Sequence, residues 1–416
     1  MNFGLENFFF IWRGIDWALI FLGKMVSLWW WLLPPILLYS PVKKSILWWQ
    51  REKWEARQKY VMLEIVPPKE SLKPLLAMEQ VFSSIWSIYS SIEGLKNFRK
   101  KWMEGRRLSH LCIEIASIGP HPRFFIRLNK KQADAVRVAF YAQYPDVEFH
   151  DVPEGDYTQA MAWTAPDRQW NFYGFDIAPA KSDVYPIKTY SHFFEPRPES
   201  TKEEKRIDPL NNLLEGLNEL KPDEQIWLQF RLTPVSDKDS DFRRRGRALL
   251  AKLVHRKEKV KSGDGFVPPE MKMTPHEKDV VKEIEDKLSK YVFQTNIRCL
   301  YIARREIFDG ARRALAEQYF SAFSSPDLNI LRRWSKTKTK IRYFFIKLRE
   351  YLRRRNMLRR YLLRETPLYP KHEGTFILGT EEVATLIHMP IELTKSGSSL
   401  PRVETKKSEA PIDLPI

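Results

Sequence analysis

Residues 110–128 read HLCIEIASIGPHPRFFIRL, and this stretch contains two strand patterns separated by a turn. In its first part the apolar residues Leu111, Ile113 and Ile115 alternate with other residues, as in a strand that buries one face. GPHP at 119–122 is typical of a turn, and RFFIRL at 123–128 resumes a strand pattern. The stretch therefore predicts a pair of neighbouring strands, which decides the fold class of the region around it.

Outward from this pair, the sequence continues to alternate between strand and helix patterns. YVMLEIV at 60–66 is stopped by Pro67 and Pro68, which indicates a strand. Apolar residues between 75 and 92 recur at helical spacing, and Asn129 can cap a helix that runs to residue 144. A last strand is predicted at 147–152. The order is βαββαβ, which is the split βαβ or ferredoxin-like pattern.

A similar order recurs in the second half of the chain, with two interruptions. We predict helices at 208–220 and 307–323, and strands at 187–194, 226–232, 297–303 and 375–378. The first interruption, 241–290, reads as two charged helices around a Gly- and Pro-containing linker. The second, 331–364, reads as a basic helix.

The predicted fold class is α+β, with an N-terminal transmembrane helix followed by two ferredoxin-like (βαββαβ) modules that carry helical insertions. We place the membrane anchor at 1–42, the first module at 55–155 and the second at 156–390, with insertions at 241–290 and 331–364. Residues 391–416 are rich in Ser, Pro and Lys, so they are predicted to form a flexible tail.

The transmembrane prediction rests on residues 17–40, WALIFLGKMVSLWWWLLPPILLYS, which carry one charge at Lys24. About 20 residues of helix are enough to cross a bilayer core. The alternatives are a span that starts near Phe8, an interfacial helix and a re-entrant hairpin. A cleaved signal peptide is disfavoured, because the sequence has no basic N-terminal region and no cleavage site of small residues. Lys43, Lys44, Arg51 and Lys53 follow the stretch, so the positive-inside rule places the C-terminal part in the cytoplasm. The expected localisation is a single-pass protein of the cytoplasmic (inner) membrane.

The positive charge of the chain is concentrated in one region. The 416 residues carry a net charge of +17, yet residues 241–364 hold 33 Lys and Arg against 14 Asp and Glu. The rest of the chain is close to neutral, so the excess indicates an anionic partner, either nucleic acid or an anionic lipid surface. The two cysteines, Cys112 and Cys299, exclude a disulfide scaffold and a cysteine-rich zinc site.

The sequence contains no motif that indicates catalysis. No P-loop, HExxH, CxxC, GxSxG or GxGxxG pattern occurs. His150 and Asp151 could resemble half of a catalytic pair, although a solvated strand end explains them more simply. Asp237, Asp239 and Asp241 open like a calcium loop, but Phe242 and Ala248 stand where that loop requires Gly and Glu. We therefore expect a protein that is not an enzyme and needs no metal or cofactor.

The basic insertion is the candidate binding site. Residues 332–364 hold 14 Lys and Arg and one acid, Glu350, with an approximate apolar stripe at helical spacing. Three interpretations remain open: a solvated helix packed on the domain, an amphipathic helix on anionic lipid, and a phosphate-binding patch with the interleaved aromatics Tyr343, Phe344 and Tyr351. The candidate contacts with nucleic acid or anionic lipid are Lys347, Arg349, Arg353, Arg354, Arg355, Arg359 and Arg360.

Several longer segments carry a family resemblance. They are LEIVPPKE at 63–70, NKKQADAVRVAFYAQYPDVEFHDV at 129–152, WNFYGFDIAPAKSDVYPIKTYSHFFEP at 170–196, DPLNNLLEGLNELKPDEQIWLQFRL at 208–232 and FILGTEEVATLIHMP at 376–390. Together they resemble the membrane-anchored, non-catalytic N-terminal region of bacterial conjugative-transfer (type IV secretion) ATPases, over roughly residues 55–416. The ATP-binding residues of that family have no counterpart here, so no catalytic residue is carried over.

The resemblance implies a membrane-anchored accessory or scaffold subunit of a type IV secretion-like or conjugative DNA-transfer system. Such a subunit would work with a P-loop ATPase encoded separately, or with another subunit of that system. The alternative is a membrane-associated nucleic-acid-binding protein that acts through the basic helix at 332–364. In either case the partners would be the membrane together with DNA or anionic lipid.

Overall fold

The computed structural model describes residues 23–24, 27, 33–68, 75–90, 105–152, 156–158, 169–193, 208–237, 240–255, 273–341, 343–366 and 374–390. The chain divides into two compact units. One comprises Met1–Gln58 and Leu95–Arg107, and the other comprises Lys59–Gly94 and Leu108–Ile416. The predicted tail at 391–416 lies outside the described residues.

The first unit contains helix α1 (Leu33–Ala56), which corrects the predicted membrane anchor. This helix covers the last eight residues of the predicted span and continues through six charged side chains, Lys43, Lys44, Arg51, Glu52, Lys53 and Glu55. Within the described part of the chain, no helix combines the length and the apolar character that crossing a membrane requires. Most of residues 17–32 lie outside that part. The predictions of a transmembrane helix and of a single-pass membrane location are therefore wrong.

The described residues in the first half of the second unit form four strands and two α-helices. Strand β1 (Tyr60–Val66) is followed by helix α2 (Leu75–Ser90), and strands β2 (Leu111–Ile118) and β3 (Pro122–Asn129) form the hairpin predicted from residues 110–128. Helix α3 (Ala133–Gln143) and strand β4 (Glu148–Asp151) complete the half. Asn129 caps the short 3₁₀ turn Lys130–Gln132 that precedes α3, since its side chain accepts a hydrogen bond from the Lys131 N–H. The predicted elements of this half are confirmed, with ends that agree to within four residues and, for β1, at both ends.

The second half is longer and departs further from expectation. Its elements are β5 (Trp170–Pro179), α4 (Pro209–Asn218), β6 (Glu224–Val235), α5 (Phe242–His255), α6 (Pro275–Ser289), β7 (Val292–Arg304), α7 (Ala314–Ala322), β8 (Leu331–Arg333), α8 (Ile346–Leu363), β9 (Phe376–Gly379) and α9 (Thr380–Leu386). The predicted strand at 187–194 is wrong, because Tyr190–Phe193 forms a 3₁₀ turn. Strand β5 takes its place, and the predicted basic helix at 332–364 begins as an edge strand and becomes helical at Ile346.

The nine strands in the described part of the chain belong to one antiparallel sheet. Their order is β4-β1-β3-β2-β6-β7-β5-β8, and β9 pairs with β7 beyond the end of β5. In each half the first and third strands are neighbours and lie between the second and fourth, which is compatible with βαββαβ connectivity. Strands β2 and β6 pair from Leu111–Leu232 to Ile118–Gln225 and join the halves. The α+β class is confirmed, and the architecture is one large sheet without a membrane helix in the described residues.

The two faces of the sheet are buried in different ways. One face carries the main apolar core, where side chains such as Ile113, Phe230 and Phe175 are covered by helices including α2, α3, α4 and α7. The other face carries a smaller cluster that includes Phe125, Trp227 and Leu300 and is covered by α8. The position of the basic helix on this second face determines which of its cations reach solvent.

Candidate functional site

The C-terminal half of α8 is anchored on the sheet. Met357, Leu358 and Tyr361 are buried against Trp227 and its neighbours. Gly174 on β5 allows this close approach, since a Cβ atom there would lie 2.8 Å from Cγ of Met357. The apolar stripe seen in the sequence is therefore a packing surface over these turns.

A buried ionic cluster fixes the end of α8. Arg364 has a left-handed backbone (φ 54°) and donates from Nε to Oε1 of Glu114 at 3.0 Å and from Nη2 to Oδ1 of Asp156 at 3.1 Å. Burial opposes its charge, but the carboxylates of Glu114 and Asp156 outweigh that effect and raise the pKa of Arg364 well above its ordinary value. Removing Arg364 would leave the carboxylates of Glu114 and Asp156 without their cation.

Two tyrosines complete this cluster. The Tyr157 hydroxyl donates to Oε2 of Glu114 at 2.7 Å and lies 2.7 Å from the Tyr361 hydroxyl. Burial, together with the Glu114 charge, raises the pKa of both phenols well above the ordinary value. Since Glu114, Tyr361 and Arg364 are at most 2% exposed, a substrate has no access to them, and we assign the cluster to anchoring α8.

A second buried pair holds the chain immediately after α8. Arg298 and Asp176 are both fully buried and form an ion pair of 3.0 Å between neighbouring strands. The same guanidinium donates to the backbone carbonyl of Glu365 at 2.9 Å. The helix is thus tied to the sheet by ionic contacts at its C-terminal end.

The structure divides the seven candidate cations into two groups. Arg353 donates to the Lys338 carbonyl and Arg354 to Oδ1 of Asn171, while Arg349 donates to the Tyr343 carbonyl. Burial and the neighbouring Arg298 lower the pKa of Arg360, which is half-buried. The other three are exposed and have no hydrogen-bond or ion-pair partner among the described residues: Lys347, Arg355 and Arg359.

An exposed aromatic turn precedes α8, and we call Tyr343, Phe344 and Phe345 the aromatic turn. The three side chains are 71–81% exposed, and Phe344 and Phe345 have positive φ angles of 48° and 45°. This backbone region is strained for bulky residues and costs on the order of 1–3 kcal/mol per residue. Arg349 braces the turn through the carbonyls of Tyr343 and Phe344, at 2.9 and 3.4 Å. Sequence reasoning named Tyr343 and Phe344 but missed Phe345.

A basic edge connects β8 to the aromatic turn. Between Leu328 and Arg349 the chain has eight Lys and Arg and no Asp or Glu. From β8 it follows the outer side of β5, where the Trp334 N–H donates to the Asp176 carbonyl and the Thr339 N–H to the Gly174 carbonyl. We define the basic edge by its exposed cations, which are Arg332, Lys336, Lys340, Lys347, Arg355 and Arg359. The sequence analysis gave the number of these charges, but it did not predict that Arg332 and Lys336 would lie beside Trp334.

The remaining sequence candidates form no reactive constellation in the described part of the chain. His150 contacts Glu148 at 3.1 Å rather than Asp151, and both partners are exposed. Cys112 and Cys299 are buried free thiols, and burial raises the pKa of Cys112 to about 12. Asp237 and Asp241 pair with Arg243 and Arg244, and Asp239 lies outside the described residues. The described residues contain no group of three or more His, Cys, Asp or Glu placed to hold a metal ion.

Comparison with known proteins gives one family. Residues 51–396 match the family described as "Domain of unknown function (DUF8128)". The match covers most of the chain, including both halves of the sheet and the basic edge. No curated protein matches the sequence.

Proposed function

The chain belongs to the DUF8128 family, whose description assigns no activity, so we propose a function from its geometry: a non-catalytic accessory subunit that binds single-stranded nucleic acid along the basic edge. The observation that carries the proposal is that exposed cations without a partner among the described residues lie on α8, and exposed aromatic rings lie in the turn that leads into this helix. Lys347, Arg355 and Arg359 are exposed and can contact phosphates, and the aromatic turn lies two residues before Lys347 at the start of the same helix.

Physical chemistry favours a single strand over a duplex for this surface. Cations that track a phosphate backbone bind any nucleic acid, and this part of the affinity falls with salt. Exposed rings add base stacking, which requires unpaired bases and contributes about 1–3 kcal/mol per base. The strained and braced backbone at Phe344 and Phe345 holds both rings in solvent, where stacking is possible.

The family resemblance supports a narrower form of the proposal. We infer from the resemblance of its segments to the N-terminal region of conjugative-transfer ATPases that the chain works beside a P-loop ATPase in a DNA-transfer system. We expect such an ATPase to co-purify with the full chain from its native host. Recovery of the chain without any P-loop ATPase would remove the narrower form and leave nucleic-acid binding to be judged separately.

The direct test is a salt titration of the full chain against a fluorescently labelled dT15 oligonucleotide. The variant K347E/R355E/R359E reverses three unpaired cations, so we expect at least tenfold weaker binding. Because each phosphate contact on a single strand contributes about 0.7 to the slope of log K against log salt, the slope should fall by about 2.

A matched control separates local contacts from net charge. K130E/K131E/K221E makes the same change in net charge at exposed lysines elsewhere in the unit, and it should retain binding within about twofold at 0.15 M salt, where exposed charges are screened beyond about 8 Å. Absence of salt-dependent binding, or an equal loss in the control, would overturn the proposal. Binding of anionic vesicles without binding of dT15 would also overturn it, in favour of a lipid partner.

A further inference from the structure

A cleft lies where the basic edge begins. Its volume is about 940 Å³, and its walls include Arg245, Arg332, Trp334, Lys336, Phe376 and Ile377. The volume is within the range of about 300–1,000 Å³ typical of sites for small ligands. The cleft is formed by β8 with the turn after it, the start of β9 and helix α5.

The charges of the cleft leave a positive excess that can act on a ligand. Asp183 is already engaged, since Arg245 binds both of its oxygens at 2.6 and 3.2 Å and the Ile377 N–H donates to it at 3.2 Å. Arg333 is engaged as well, with Glu317 at 2.7 Å. Arg332, in contrast, is exposed on β8 and has no partner in the described part of the chain. An anion entering the cleft would therefore meet a free guanidinium and a neutralised carboxylate.

An aromatic ring stands beside this charge on a fixed backbone. The backbone N–H of Trp334 donates to the backbone carbonyl of Asp176 at 2.8 Å. The backbone carbonyl of Trp334 accepts a hydrogen bond from the backbone N–H of Lys338 at 3.3 Å. Lys336 Nζ lies 6.0 Å from the centroid of the Trp334 ring. The indole thus lies near a cation on a fixed backbone, and it can serve as a stacking platform for a planar and negatively charged ligand.

We propose that this cleft binds one nucleotide unit, with its base on Trp334 and its phosphate on Arg332 and Lys336. The inference deepens the proposed function, since it gives one nucleotide of the bound strand a defined place at the start of the basic edge. A ligand that has both a planar ring and a phosphate can contact the Trp334 ring and the cations of the cleft at the same time. Inorganic phosphate can contact the cations but has no ring to stack on Trp334. A duplex has no unpaired base to offer.

The test combines a strand and a single nucleotide on the full chain. With labelled dT15, W334A should bind about 5- to 150-fold more weakly than the wild type, as expected for one lost stacking contact, with an unchanged salt slope. W334F should retain most of the affinity, because it keeps a ring. R332E changes an exposed residue, so it should fold normally and bind more weakly. Y141A removes a partly exposed ring on α3 and should leave the affinity unchanged.

Saturation-transfer NMR with dTMP examines the cleft independently of the strand. We expect transfer to the thymine protons in the wild type and W334F and its loss in W334A, with inorganic phosphate a poor competitor. Wild-type affinity of W334A for dT15, together with dTMP transfer that persists in W334A, would overturn the nucleotide site even if K347E/R355E/R359E still fails to bind. Transfer of dTMP that depends on Trp334 in a chain that does not bind dT15 would support the cleft and overturn the proposed function.

Discussion

Arg364 is a buried cation at the end of α8 that pairs with two carboxylates. The residue is 2% exposed, and its guanidinium forms ion pairs with both Glu114 and Asp156 from a left-handed backbone position. Arg364→Met would leave both carboxylates without their cation, so we expect the free energy of unfolding to fall by about 3–5 kcal/mol. Urea denaturation measures this change directly.

Arg359 provides the matched control for that experiment. It lies on the same helix but is exposed and has no partner among the described residues, so Arg359→Met should change the free energy of unfolding by less than about 0.5 kcal/mol. Similar losses in the two variants would show that the cluster does not anchor the helix.

His388 should make stability depend on pH. It is buried, and its Nε2 lies 2.9 Å from Oδ1 of Asp208, which also accepts the Leu210 N–H at the start of α4. Burial alone would lower the pKa of His388, but the Asp208 charge and hydrogen bond outweigh it and raise the pKa above 6.5. The folded protein therefore holds this proton more tightly than the unfolded chain.

The sign of the effect follows from that raised pKa. The stabilisation is fully present below about pH 6.5 and is lost as pH rises through the folded pKa. Relative to His388→Gln, the wild type should be more stable at pH 6, and the advantage should shrink towards pH 9. An advantage that grows with pH in urea titrations would contradict the assignment of a charged His388.

The two halves of helix α8 differ in how they are packed and in what they expose to solvent. Its C-terminal half packs on the sheet through Met357, Leu358 and Tyr361 but leaves Arg355 and Arg359 exposed, while its N-terminal half exposes Lys347 together with Leu348, Tyr351 and Leu352. Helix α8 packs against the sheet at Gly174, where an added Cβ atom would lie within 3 Å of side-chain atoms of Leu300 and Met357.

Substitution of Gly174 tests this seating. Gly174→Ala should overpack the contact and lower the free energy of unfolding by about 1–3 kcal/mol. Met357→Ala also destabilises by itself, but the double variant should lose less than the sum of the two changes, because the smaller side chain makes room for the new methyl group. Strict additivity in the denaturation cycle would mean that the new methyl group is accommodated elsewhere.

At the level of elements, local patterns predicted the first half well and the second half less well. Strand β1 and the hairpin of β2 and β3 are bounded by prolines and a GPHP turn, so their ends were readable. Strand β5 was missed because WNFYGFDIAP is apolar on both sides and contains a glycine, which hides the alternation. Strand β8 has three residues and a dense charge, and its pairing with β5 is a tertiary effect.

The candidate site was predictable in charge but not in detail. Counting Lys and Arg located the basic edge, yet nothing local distinguishes Arg354, bound to Asn171 across 183 residues, from the free Arg355 beside it. The cleft at Trp334 depends on β9 and α5 meeting the end of β8, which sequence spacing does not encode.

For the molecule as a whole, the shared sheet predicts cooperative unfolding of both halves. Strands β2 and β6 exchange hydrogen bonds over eight residue pairs, and the main core includes side chains from both halves. We expect amides in β3 and β7 to exchange hydrogen with similar free energies of opening, close to the global value. Hydrogen exchange with mass spectrometry measures both, and a clearly lower protection across one half would show that the halves unfold separately.

The order of strands in the sheet reads the same from both ends. From either edge, the fourth, first, third and second strands of a half lead to the junction between β2 and β6. Two copies of one half would produce this order if a two-fold axis passed between their second strands, because an isologous contact uses the same edge twice. The order of the strands is therefore the one that two copies of a half, related by a two-fold axis, would give. The α5–α6 pair and α8 interrupt this pattern in the second half; α8 carries Lys347, Arg355 and Arg359 of the basic edge, whereas Arg332 lies on β8, the fourth strand of the pattern.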